Sequence, residues 1–112
     1  MMDIERSDID PAMAVIRCRG RLNMVAAPAL RACIEQSVDE GHTRVVVDLA
    51  RTSFIDSSGL GSLIGGLKKA RQAGGSLRIA EATDQVLNVL RLTNLDRVLR
   101  PHVTVEEASR GW

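Results

Sequence analysis

Arg44 to Leu49 reads R-V-V-V-D-L, and a short way downstream the chain changes its period. Three β-branched residues in succession, Val45, Val46 and Val47, favour a short strand buried on both faces. Leu60, Leu63, Ile64 and Leu67 then fall at the i, i+3, i+4 and i+7 spacing of one helical face. A buried strand handing over to an amphipathic helix requires a layer of helix packed on sheet, which excludes most other folds. The junction is Ile55-Asp56-Ser57-Ser58-Gly59, polar and small between apolar flanks. In an open α/β sheet, loops at the carboxyl ends of strands are where ligands and partners meet the fold.

The first turn of a helix leaves backbone N–H groups without intrahelical partners. Asp56 or Ser57 can accept from them as a cap, a contribution of about 0.5–2 kcal/mol. That end also carries partial positive charge, which favours a nearby anion by roughly 0.3–1 kcal/mol. A phosphoryl group on Ser57 or Ser58 is therefore tolerated, and it adds about −1.5 to −2 charge and three acceptor oxygens. Asp, Ser and Gly are equally ordinary cap and turn residues, so local pattern alone leaves both readings open.

The glycines bear on that choice. Gly61, Gly65 and Gly66 lie inside the expected helix, where each costs roughly 0.5–1 kcal/mol relative to alanine. Burial of the four large apolar side chains offsets this at roughly 1.5–3 kcal/mol each. A helix that keeps such glycines needs a thin face, toward its own sheet or toward another protein. The spacing of Gly61 and Gly65 resembles a membrane pairing signal, but Lys68, Lys69 and Arg71 exclude an apolar span there.

A chain of 112 residues is expected to form a single domain, residues 1–112. With Phe54 and Trp112 as its aromatic residues, it has little for base stacking, and a net charge of +1 is no footprint for nucleic acid. No apolar stretch approaches the about 18–20 residues of a membrane span, so direct membrane insertion is not expected. The acidic start, M-M-D-I-E-R-S-D, does not resemble a signal peptide. Cys18 and Cys33 read as reduced core cysteines of a cytoplasmic protein.

In chain order, Asp3 to Arg6 reads as an edge strand, Asp8 to Pro11 as a turn, and Ala12 to Arg19 as the second strand of a hairpin. A helix is expected from about Val25 to Asp39, with Pro28 in its first turn and Gly41 ending it. After the central strand and helix, Gln72 to Gly75 is a stop, Ser76 to Ala80 a strand, and Thr83 caps a helix over about Asp84 to Arg91. Arg97 to Leu99 reads as a final short strand broken by Pro101. Val103 to Ala108 is either a strand and turn or a terminal helix. The fold class is α/β: a small mixed sheet of four or five strands, with helices packed mainly on one side.

An enzyme is not expected. His42 and His102 are the only imidazole bases, and neither lies in a segment that ends near the serines; both read as surface residues. No G-x-S-x-G elbow and no phosphate-binding glycine loop occurs. Asp48 and Asp56 could approach each other around Mg²⁺, but Asp48 reads better as a strand polar contact. No cofactor or metal is expected. The residues describe a switchable interaction module whose phosphate comes from elsewhere.

V-V-V-D-L-A-R-T-S-F-I-D-S-S-G-L-G, Val45 to Gly61, resembles the signature of the STAS domain as found in bacterial anti-sigma factor antagonists. The resemblance extends to Gly20 and Leu22, to the Gly-Gly before Ser76, and to the Leu92, Leu95 and Leu99 series. It implies the STAS fold and a phosphoryl acceptor at Ser57, directly after Asp56. It also implies an anti-sigma factor that is a serine kinase of the GHKL type as partner, and a PP2C-type phosphatase that resets the switch. ATP then belongs to the kinase. The implied partner surface is Arg21, Asn23, Asp56, Ser57, Ser58, Gly59, Leu60 and Gly61, on a monomer or weak dimer. The chain departs from the G-E-L-D common in antagonists, with Gly20-Arg21-Leu22-Asn23 instead. Asn23 can bond neutrally beside Ser57. Arg21 either pairs with a phosphate there or marks a different partner surface. The alternative is a non-phosphorylated STAS scaffold or transporter-associated subunit that acts only through protein contacts.

Overall fold

The computed structural model describes residues 2–112. The hairpin strands run Asp3–Asp10 (β1) and Met13–Leu22 (β2), both longer than expected. Ala27–Asp39 (α1), Arg44–Ile55 (β3), Ser57–Gln72 (α2), Ser76–Ala80 (β4) and Asp84–Leu92 (α3) follow. A 3-10 turn at Leu95–Arg97, a strand at Pro101–His102 (β5) and a short helix at Val105–Ala108 (α4) complete the order.

One five-stranded sheet carries the strands in sequence order, β1-β2-β3-β4-β5. β1 is antiparallel to β2, and every later neighbour is parallel. Each parallel step therefore goes the same way across the sheet. Right-handed crossovers then deliver α1, α2 and α3 to one face. Ile16, Cys18, Val45, Val47, Leu49, Leu77 and Ile79 point to that face and pack with Leu30, Ile34, Leu63, Leu67 and Leu90 of the helices. The opposite face has a smaller cluster, Met13, Val15, Val46, Ala80 and Ala108, which α4 covers.

Several expectations are corrected. Val25 stays outside α1, because Asn23 Oδ1 accepts from the Val25 and Ala26 N–H groups and turns the chain before the helix begins. β3 does not end at Leu49. It continues to Ile55, with Thr52 buried and its Oγ1 donating to the Cys18 carbonyl at 2.9 Å. Arg97 to Leu99 is not a strand: Asn94 takes a left-handed φ of 59° and the chain coils, which buries Leu99. Pro101 does not break the last strand but begins it, since a missing N–H is tolerated at the start of an edge strand. Val103 to Ala108 resolves as a helical turn, with Thr104 Oγ1 accepting from the Glu107 N–H.

Cys18 and Cys33 are both free, but only Cys18 lies in the core. Burial, more than the nearby Cys33 and Asp48, pushes the Cys18 thiol up to about 12. Cys33 is half-buried instead. His42 and His102 are also half-buried. His42 lies 3.9 Å from Asp8, and His102 lies 3.8 Å from Glu107.

Candidate functional site

β2 and β3 are parallel neighbours, so their carboxyl ends emerge side by side: Leu22 pairs in register with Ile55. Asp56 joins the two exits. Its Oδ1 accepts from the Gly59 N–H at 2.9 Å, which caps α2. Its Oδ2 accepts from the Met24 N–H at 3.1 Å, across the corner on the loop after β2. Its own N–H donates to the Leu22 carbonyl at 3.3 Å. Of the two cap candidates, the structure selects Asp56.

That choice leaves Ser57 as the first residue of α2, exposed to solvent. Ser58 is half-buried and Gly61 exposed, while Gly59 and Leu60 turn inward. Leu60 belongs to the core, and Gly59 lies against β2. A Cβ on Gly59 would stand 2.3 Å from the Leu22 carbonyl oxygen and 2.9 Å from the Ile55 side chain. These two residues shape the corner from beneath. Gly65 and Gly66 bear on the expectation of a thin face. Cβ atoms there would meet the Arg31 guanidinium and the Ile34 side chain of α1, each at 2.8 Å, so both glycines allow α1 and α2 to approach closely.

The loop residues are placed differently from the sequence expectation. Asn23 does not reach toward Ser57; its side-chain oxygen is committed to its own loop. Arg21 stacks over the Phe54 ring with its guanidinium carbon 4.3 Å from the centroid. Asp48 accepts from the Ala50 N–H and lies 3.7 Å from Arg17, apart from the Asp56 cap in function. No group of three or more His, Cys, Asp or Glu that could hold a metal gathers among the described residues.

Sequence reasoning missed Met24 and Val25. They are 71% and 83% exposed, a pair of large apolar side chains standing in water beside the Asp56 cap. Met24 also lines a shallow groove of about 460 Å³ between α1 and α2, with Pro28, Arg31, Ser58 and Gly61. The signal was the Met-Val pair directly after Asn23: Met24 falls in no expected element, and Val25 opens the expected helix. An exposed apolar step beside a hydroxyl-bearing helix start is suited to docking a protein.

The cap carries a prediction. Asp56→Ala removes the acceptors of two backbone N–H groups, one in the first turn of α2 and one on the loop after β2, and is expected to cost about 2 kcal/mol in urea unfolding. Asp56→Asn keeps one acceptor oxygen and should lose about half as much. Equal losses for the two variants would mean that the side-chain hydrogen bonds are not what holds the corner.

A STAS domain family model matches residues 4–108. A candidate anti-sigma factor antagonist of Thermotoga maritima is 31% identical over 74 residues, and that match covers 66% of each chain, just under two thirds of the relative's length. The candidate anti-sigma factor antagonist BtrV of Bordetella bronchiseptica is 33% identical over 92 residues, 82% of this chain and 78% of the relative. A crystal structure of a candidate anti-sigma factor antagonist from Thermotoga maritima superposes with a TM-score of 0.86 at 25% identity, over 94% of this chain and 90% of that one. The anti-sigma factor antagonist SpoIIAA in its unphosphorylated form gives a TM-score of 0.82 at 26% identity, over 95% and 92%.

Proposed function

The chain belongs to the STAS domain family of anti-sigma factor antagonists, and from that premise we propose that it is a phosphorylation-switched partner of an anti-sigma factor. Unphosphorylated, it binds an anti-sigma factor that is also a serine kinase of the GHKL type, and the sigma factor or other output is released. Phosphorylation of Ser57 ends that binding, and a PP2C-type phosphatase restores it. The chain is a regulatory binding module in the cytoplasm, and ATP is held by the kinase.

The observation that carries this reading is the position of Ser57. It is exposed at the start of α2, while the adjacent Asp56 carboxylate is occupied as the cap. A phosphoryl group added there meets the positive end of the helix and leaves the fold intact. The same dianion would stand between Asp56, which holds Met24, and Ser58, which lines the groove, where a partner's surface would have to shed water. Arg21 and Asn23 contribute indirectly: Asn23 holds the loop in shape, and Arg21 presents a cation on Phe54 at the rim.

Intact mass after incubation with ATP and the cognate kinase tests this. One phosphoryl group should be added to the wild type and none to Ser57→Ala. An unmodified protein in a stable complex with that kinase would instead favour a scaffold that acts by contact alone.

A further inference from the structure

The end of the sheet opposite Ser57 collects positive charge. Arg71 stands in the last turn of α2, Arg78 on β4, and Arg100 directly before β5. Together with Ser76 and His102 they line one pocket of about 230 Å³, and no carboxylate lines it. The parallel topology makes this assembly. Ile79 pairs with Pro101, which sets Arg78 beside Arg100, and Arg44 pairs with Ser76 at the start of β3. None of Arg44, Arg71, Arg78 and Arg100 forms an ion pair among the described residues.

Arg78 is also held in place. It donates to the Ala108 carbonyl at 3.1 Å, the Gly111 carbonyl at 3.0 Å and the Arg110 carbonyl, and it stacks over the Trp112 ring at 4.0 Å. Its guanidinium is less basic than usual because of burial and the nearby Arg100 and Arg44 charges. The protein thus fixes a cation among like charges; the Glu107 carboxylate lies 3.8 Å from the lining residue His102 and pairs with none of these arginines. The chain's net charge is only +1, so this is a local concentration and not a general basic surface.

We propose that this pocket binds a small phosphate-type anion, with Arg71 and Arg100 as its direct ligands and Arg78 as a fixed background charge. Guanidinium groups match phosphate oxygens through paired N–H donors, which lysines do not. The pocket is smaller than the about 300–1,000 Å³ that encloses a drug-sized ligand, which suits inorganic diphosphate or the terminal phosphate of a larger molecule. The Ser76 hydroxyl and the His102 ring complete a polar lining. The site is independent of the Ser57 switch.

Trp112, the only tryptophan, reports on the site because it lies against Arg78. Titration with sodium diphosphate, and separately with glycerol phosphate, at ionic strength held constant with chloride should give a saturable fluorescence change. Amide NMR shifts should concentrate at Ser76 and His102. The double variant Arg71→Ala/Arg100→Ala should bind at least about tenfold more weakly, whereas Ser57→Ala should bind as the wild type does. The probe that binds more tightly identifies free anion or phosphate ester as the source. No saturable response beyond that to chloride overturns the proposal. So does wild-type affinity in the double variant, or shifts confined to Ser57 to Gly59.

Discussion

Ser57→Asp is expected to weaken binding of the cognate anti-sigma factor by about 2 kcal/mol or more, roughly thirtyfold in Kd, while Ser57→Ala binds as the wild type does. The expectation follows from where the charge would stand. Ser57 is exposed, and the adjacent Asp56 carboxylate is already occupied by the Gly59 and Met24 N–H groups. A second carboxylate has no internal partner and remains in the surface a docking protein must dehydrate. The effect on folding should have the opposite sign. An acidic residue in the first turn of α2 interacts favourably with the helix dipole by about 0.3–1 kcal/mol, so Ser57→Asp should unfold at the same or slightly higher urea concentration. Loss of binding with retained stability is the signature of a charge veto. Equal affinity of the two variants for the kinase would remove the switch.

Two glycines of α2, two positions apart, should respond to alanine with opposite signs. Gly59→Ala places a methyl group 2.3 Å from the Leu22 carbonyl oxygen, a distance real atoms do not hold. That oxygen cannot simply move, since it accepts from the Asp56 N–H and sits at the end of β2 in register with Ile55. The strand, the cap or the helix start must shift, at a cost of about 2–3 kcal/mol even after the better helix propensity of alanine is included. Gly61→Ala meets nothing within 4 Å and should gain about 0.5–1 kcal/mol. Urea midpoints with unchanged slopes decide both. Because Gly61 is exposed beside the groove, its added methyl group should be read separately in the anti-sigma binding assay. A destabilised Gly61→Ala, or a neutral Gly59→Ala, would mean that α2 does not lie against β2 as described.

The central unit was legible because its signals are local. Val45 to Val47 and the Leu60, Leu63, Ile64, Leu67 series each carry their own period, and both elements form there, although β3 runs on past the pattern to Ile55. The serine corner was legible for the same reason: a cap residue must directly precede its helix. Elements without a periodic signal were not. β5 is two residues long and is a strand only because β4 lies beside it, so Pro101 read as a breaker when its role is to begin an edge. Val25 directly precedes a helical run and carries no stop signal of its own, but the Asn23 side chain turns the chain before the helix begins.

From the sequence alone came the α/β class, a serine pair at a helix start with Asp56 or Ser57 as its cap, and the resemblance that implies a kinase partner. These rest on interactions between residues only a few positions apart. The tertiary structure alone decided that Asp56 also holds Met24 on another loop, that Gly59 touches Leu22, and that Arg71, Arg78 and Arg100 share one pocket. Such groupings join residues distant along the chain, and strand order with parallel register determines them; no local pattern carries that information.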